Sequence, residues 1–395
     1  VANNRITYST AQVALKDTRR RFTRVIDGAV ASGTLDGPIG TGDATITLLA
    51  VPVEWPDSGQ VRIGSEYIYY AGKTATTLTG CVRGDGSTTA ATGVNGQNVE
   101  FNGWEVPMGM QTASVSTAFN LEDVFHIGQL DSYENIEGIP DIEVTLERVL
   151  DGTKPLWSMV TDPDQTTLKG RTADFTVDVA INVYPDSQDS AVGTHDSVVY
   201  CSGMYVSAVS YNMPVDGNFT ESITLVGNDK TWTLTTDQTP SGYFYTADEY
   251  DATVVGAGVQ RTEDFDVAGS TLPADLPNDD HIQSIAVSAD VGREEIYELG
   301  SKRPYYRAVT FPLTVTTTFE VITSEGDKVE ALSTVDNLTD RAIILKTLGG
   351  LTIDLGTKNK ISSVTFGGFD AGGGNGAVTM EFQNSNSLTI THTAE

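Results

Sequence analysis

Side chains able to do chemistry are sparse and scattered in this chain. Its four histidines, His126, His195, His281 and His392, stand singly, with neither the close pairing of a metal site nor an evident nucleophile partner. Structural or solvent-exposed roles are expected for all four. Acid-rich stretches at Asp162–Asp164, Asp186–Asp189 and Asn278–Asp280 carry enough oxygen for calcium. None has the EF-hand spacing with its central Gly and terminal Glu, so they read as solvated loops. The glycine run Gly372–Gly376 lacks the Lys-Ser/Thr of a phosphate-binding loop and precedes a strand pattern, which makes it a hairpin connection. Arg83-Gly84-Asp85 spells an adhesion tripeptide, but a turn in a Gly-rich hairpin explains it equally well and is the reading favoured here. Cys81 and Cys201 are the only cysteines and are expected to be reduced, buried thiols. No catalytic constellation, metal site or cofactor is expected.

Two charge patterns remain. In the strand pattern Pro140–Leu150, Asp141, Glu143, Thr145 and Glu147 share one face while Ile142, Val144 and Leu146 share the other, so one face packs and one meets water. Near the N-terminus, Lys16, Arg19, Arg20, Arg21 and Arg24 place five of the 24 Lys and Arg residues within nine positions of a chain whose net charge is −29. So local a cationic excess calls for an acidic partner, or else marks a solvated tail. The overall charge argues against a phosphate-binding surface and for repulsion from nucleic acid.

The elements that must position these residues are strands. β-Branched runs such as Thr176–Val183, Val206–Tyr211 and Val309–Val321 are bounded by Gly, Asn, Asp or Pro, which predicts a mainly β protein. Gln60–Ala71 alternates around Gly64-Ser65, a dipeptide suited to a tight hairpin turn. The clearest helix candidate is Lys154–Val160, with Pro155 in its first turn and Leu156, Trp157 and Val160 on one side. No apolar run approaches the ~18–20 residues of a membrane span, and Val1–Thr10 lacks the features of a signal peptide; a soluble chain made in a cytoplasm is expected.

Comparison of the chain with itself reveals a duplication. Gln111–Tyr133 aligns without gaps to Gln283–Tyr305, an offset of 172, with six identities in 23 positions. A second pair of blocks, Val206–Tyr211 with Ile361–Phe366 and Ile223–Leu225 with Val378–Met380, follows in the same order at an offset of 155. A one-residue indel between Tyr133 and Pro140 sets Ile142 opposite Leu313 and Val144 opposite Val315, so both copies keep an inward apolar face. The expected organisation is an N-terminal arm (1–30), a small β module (31–105), a first copy (106–236), a loop-rich connector (237–282) and a second copy (283–395).

At these residues the sequence resembles tail tube proteins, also called major tail proteins, of tailed bacteriophages. Phe119–Leu150 and Val287–Ile322 look like the family's core element, Arg5–Leu15 is similar to its N-terminus, and Val61–Arg83 resembles a small β module carried by several phage tail proteins. The resemblance implies two tandem β-sandwich or barrel domains in a non-enzymatic subunit that joins its neighbours into rings stacked as a tube in the virion tail. By analogy with duplicated members, three chains would form a pseudo-sixfold ring. Implied partners are other copies of the chain, the tape measure, tail terminator and baseplate proteins, and a sheath where the tail contracts. Double-stranded DNA is passing cargo, and no membrane is involved. In that setting Asp141, Glu143 and Glu147 are candidates for the lumen wall. Lys16, Arg19, Arg20, Arg21 and Arg24 form a candidate arm clasping a neighbouring subunit, with Ile6, Tyr8, Val13 and Leu15 adding apolar contact. A baseplate or tail-tip protein is the nearest alternative, and an extracellular β-sandwich adhesin or carbohydrate-binding protein is the alternative from another class.

Overall fold

The structure, a computed structural model, describes residues 11–17, 33–52, 55, 59–64, 66–85, 89–102, 104–162, 165–185, 196–234, 258–276, 281–300, 304–324, 326–329, 339–368 and 375–393. The protein is mainly β, as its composition predicts, and its sheets are antiparallel and open. Contacts divide the chain into two units: 1–107 with 175–204 and 229–253, and 108–174 with 205–228 and 254–395.

In the first unit the described strands are β1 (Ala11–Asp17), β2 (Gly33–Thr34), β3 (Thr45–Thr47), β4 (Gly59–Ile63), β5 (Glu66–Tyr70), β6 (Gly72–Lys73), β7 (Thr77–Thr79), β8 (Val82–Asp85), β9 (Asn98–Asn102) and β10 (Trp104–Glu105). The second unit opens with β11 (Met110–Phe125) and β12 (Ser132–Val149). The chain then returns to the first unit for β13 (Val177–Val183). β14 (Ser197–Pro214) contributes its residues up to Met204 to the first unit and those from Tyr205 to the second.

Strands β2, β9, β4, β5 and β8 form one sheet of the first unit and β3, β7 and β6 another. Leu35, Ile46, Leu48, Trp55, Val61, Ile68, Tyr70 and Val99 bury their side chains in one core there. The expected hairpin is present: β4 and β5 pair with Ile63 opposite Glu66, and Gly64 adopts φ +64°, which a primed turn requires and Gly tolerates. A second sheet region runs β10, β1, β13, then the Ser197–Met204 part of β14 and β16 (Asp229–Leu234). β1 is therefore an inner strand, paired on one side with β10 and on the other with β13.

The second unit continues with β15 (Thr220–Gly227), β17 (Ile282–Asp290), β18 (Arg293–Ile296), β19 (Tyr306–Val309), β20 (Thr314–Ile322), β21 (Ile344–Lys346), β22 (Leu351–Asp354), β23 (Lys360–Gly367), β24 (Ala377–Ser385) and β25 (Thr389–His392). Helix α1 (Leu156–Val160) forms where expected, with Pro155 before its first turn and Leu156, Trp157 and Val160 buried. A second short helix, α2 (Leu168–Thr172), capped by the Thr167 side chain, was not legible from the sequence pattern.

Eight strands of this unit lie side by side in the order β11, β12, β15, β14, β17, β20, β24, β23. The first four come from the first copy of the repeat and the last four from the second. Since β17, β20, β24 and β23 are the repeat counterparts of β11, β12, β15 and β14, the sheet is one four-strand motif written twice. Burial alternates along β15, β20 and β24, which places Ile223, Leu225, Val315, Phe319, Val378 and Phe382 on one face. Phe319 and Phe382 meet edge to face with ring centroids 5.7 Å apart. The registers correct the expected alignment: Thr117↔Ile142 and Val115↔Val144 correspond to Ala289↔Val315 and Val287↔Thr317, so Ile142 stands opposite Val315 and Val144 opposite Thr317, a one-residue indel in the other sense. Ile223 likewise stands opposite Met380. The apolar face is kept because either indel restores the period-two alternation.

Two buried polar contacts hold this arrangement. Glu221 on β15 accepts the backbone N–H groups of Leu156 and Trp157 at 2.8 and 2.9 Å and the Tyr211 hydroxyl at 2.6 Å, with Arg148 Nε 3.6 Å away. Burial, reinforced by this carboxylate, pushes the Tyr211 phenol well above its ordinary pKa. Arg293 at the start of β18 donates to the carbonyls of Val206 (2.9 Å), Thr172 (2.7 Å), Ala173 (3.3 Å) and Arg307 (3.2 Å) and lies over the Tyr205 ring at 4.9 Å. Desolvation of the guanidinium lowers its pKa to about 10.

Candidate functional site

Register across the eight strands assigns each residue to a face. Starting from β12, Glu143 pairs with Ser116 and Val226, Thr145 with Ser114 and Thr224, and Glu147 with Thr112 and Ser222. Following the same row through β14, β17, β20, β24 and β23 brings in Ala208, Ser210, Asp290, Ser288, Thr316, Thr318, Glu320, Glu381, Gln383, Ser363 and Thr365. The apolar face lies behind this one. The front is a field of hydroxyls and carboxylates, with acids Asp141, Glu143, Glu147, Asp290, Glu320 and Glu381. Among the described residues of these strands, Lys360 is the one cation on that face, and its Nζ is 3.6 Å from Asp340.

The three acids singled out in sequence are all here. Asp141 is exposed, accepts Asn120 Nδ2 at 2.9 Å and lies 3.4 Å from the Arg307 guanidinium; Glu143 is exposed and Glu147 half-buried. Asp290, Glu320 and Glu381 went unnoticed because each is a lone acid in its strand. Period-two alternation places each on its strand's polar face, but only the strand order puts the three beside β12. Such a face repels polyanions: like charges in one field raise the potential, and the cations described beside it, Lys360 and Arg307, each lie against a carboxylate.

The sheet ends in two open edges. Among the described strands, β11 pairs with β12 alone and β23 with β24 alone. β11 and β12 continue as a long ladder to Phe125↔Ser132, and the far half of this hairpin exposes Phe119, Leu121, Phe125, Ile127, Leu130, Tyr133 and Ile136. The shorter hairpin β18–β19 exposes Ile296, Tyr297, Leu299 and Tyr305. Phe125/Tyr297, Ile127/Leu299 and Tyr133/Tyr305 are repeat counterparts, so the duplication presents the same apolar tip twice. Large apolar side chains exposed together on one hairpin are the mark of a candidate interaction surface.

The basic arm is only partly described. Lys16 lies in β1 opposite Trp104 and Asp178, whereas Arg19, Arg20, Arg21 and Arg24, with Ile6 and Tyr8, fall outside the described residues. Val13 and Leu15, expected to touch a neighbouring subunit, are buried in this chain's own first unit, because β1 is an inner strand. Arg83-Gly84-Asp85 is not a turn: it belongs to edge strand β8. The Arg83 guanidinium is pinned by Glu66 at 2.7 and 2.9 Å, leaving its side chain 5% exposed.

Cys81 and Cys201 are free and buried, and desolvation raises both thiols to about 11. His126 and His281 are exposed, and His392 bonds the Gly152 carbonyl at 2.8 Å. His195, Asp164, and the Asp186–Asp189 and Asn278–Asp280 stretches lie outside the described residues. Among the described residues no three His, Cys, Asp or Glu side chains gather as metal ligands. No helix is long and apolar enough to cross a membrane. No protein-family model matches the chain, and no curated protein matches it.

Proposed function

We propose that this chain is a self-assembling structural subunit of a bacteriophage tail tube, whose stacked rings make an acid-lined conduit for DNA. The observation that carries the reading is the eight-strand sheet: a four-strand motif repeated head to tail, which leaves two unlike open edges, β11 and β23, at its ends. A head-to-tail repeat with complementary ends extends by adding copies and closes where the rotation per copy allows. The polar face supports the conduit, since hydroxyls and carboxylates give a passing duplex no foothold. The two apolar hairpin tips support stacking, because a second ring would cover them. An adhesive role through Arg83-Gly84-Asp85 loses its footing, because Arg83 is already occupied by Glu66.

Electron microscopy of the purified protein tests the reading. Hollow tubes built from rings of three chains, each ring approximating sixfold symmetry, are expected. Protein that stays monomeric at every concentration would overturn it, and six chains per ring would overturn the threefold part.

A further inference from the structure

The chain already contains one junction between repeats, β14 against β17. We infer that this junction is the template for the contact between copies: β23 of one copy pairs antiparallel with β11 of the next, in the register that β14 and β17 use. This rests on the self-assembly reading above and specifies its contact.

Within the chain the rungs run Ala208↔Asp290, Val209↔Ala289, Ser210↔Ser288, Tyr211↔Val287 and Asn212↔Ala286. Moving one side by the 155-residue offset and the other by the 172-residue offset converts each rung into a pair of open-edge residues. The resulting partners are Ser363↔Ala118, Val364↔Thr117, Thr365↔Ser116, Phe366↔Val115 and Gly367↔Ser114.

Burial shows what a partner strand does at these positions. Val209 and Tyr211 are 2% and 1% exposed, and Val287 and Ala289 are buried with them. Their counterparts sit on the same face at the open edges: Val364, Val115 and Thr117 are half-buried, and Phe366 is 41% exposed. A second copy in the template register covers the same four positions. On the other face of the rungs Ser363, Thr365 and Ser116 continue the hydroxyl surface, with the small Ala118 beside Ser363. Over the five rungs the edges are unguarded: Ser114–Ala118 and Ser363–Gly367 contain no Lys, Arg or Pro, and the irregularities in the β11 and β23 ladders, like Lys360, fall outside them.

One feature of the template does not carry over. Arg293, which ties β18 to the carbonyls of Val206, Thr172 and Ala173, has Leu121 as its counterpart, and Tyr205 has Lys360. The internal junction is stapled by a guanidinium and the contact between copies is not, so copies separate without unfolding.

Paired cysteines test the register. Directly opposed residues of antiparallel strands have Cα atoms about 4.5–5.5 Å apart, within the ~4.4–6.8 Å reach of a disulfide, whereas a two-residue slip sets them about 7–8 Å apart. Thr365→Cys with Ser116→Cys in one chain should give a ladder of covalent multimers on mild oxidation of assembled protein. Val364→Cys with Thr117→Cys should do the same. Thr365→Cys with Ser114→Cys should give at least about tenfold less. A ladder from the slipped pair instead would overturn the register while leaving assembly intact; tubes with no ladder from any pair would overturn the strand pairing alone. Hydrogen exchange on the unmodified chain provides a check that needs no variant. Amides in 114–118 and 363–367 should slow by about a hundredfold or more on assembly, and unchanged exchange there in assembled tubes would also sink the inference. Failure of the natural chain to assemble at all would instead remove the reading on which the inference rests.

Discussion

Replacing Val364 by Lys separates folding from assembly, because the same position type occurs twice in the chain in different surroundings. At the internal junction the counterpart Val209 is 2% exposed, whereas Val364 on the open edge is half-buried. If a second copy covers Val364 as β17 covers Val209, the variant loses the transfer energy of a buried valine, about 1.5 kcal/mol or more. The ammonium then has to be desolvated or to bend away toward water, which adds to that loss. A loss of about 1.5 kcal/mol per junction raises the critical concentration for assembly at least tenfold. In the isolated chain, where the stem stays at the surface, the change should remain within about 0.5 kcal/mol of neutral. Sedimentation of assembled material against total protein measures the first quantity and urea unfolding of unassembled chain the second. The reasoning is refuted if Val364→Lys assembles at the concentration of the natural chain. Val209→Lys is the complementary control and should fail to fold, since its charge would be enclosed within one chain.

Four further outcomes are expected. Glu221→Ala should destabilise the second unit by about 3–5 kcal/mol, because it leaves two α1 N–H groups and the Tyr211 hydroxyl buried without their acceptor and Arg148 with Asp151 as its remaining carboxylate; Glu221→Gln should recover part of this, and equal urea midpoints for all three proteins would refute the network. In Glu66, burial pulls the carboxyl pKa up, but the Arg83 hydrogen bond and the Ala91 and Gly84 N–H groups outweigh it, so the folded value lies below the ordinary one. Its contribution is therefore complete above the unfolded pKa and is lost as pH falls through the lower folded value. Amide exchange at Val61 and Ile68 should accelerate in that acid window in the natural chain and become pH-independent there, apart from intrinsic chemistry, in Glu66→Gln. Excision of the segment between Thr34 and Asn98, which are register partners, should be bridged by a short turn and leave ring formation intact; loss of assembly by a folded, soluble product would assign the segment to an interface. Replacing Arg19, Arg20, Arg21 and Arg24 by Ser should shorten tubes, most of all at raised ionic strength, and salt resistance equal to the natural chain would exclude a clasp.

How far the sequence reached depended on the range of the interaction. Period-two alternation is local, so it was enough to predict the mainly β fold, the two faces of Pro140–Leu150, the Gly64-Ser65 hairpin and, through Pro155 and the Leu156/Trp157/Val160 side, helix α1. The duplication was equally legible, because homologous strands keep their apolar face even where identities are few. Tertiary structure decided everything that depends on which strand lies beside which. Backbone ladders form with little regard for side-chain identity, so nothing local announces that β14 turns to β17, that β1 is an inner strand burying Val13 and Leu15, or that Arg83 meets Glu66 and not solvent. The helix cap is another case: Glu221 reaches Leu156 across 65 residues of chain. The acids of β17, β20 and β24 became one surface with those of β12 only when strand order set them side by side, since a row of side chains across a sheet exists in no single stretch of sequence.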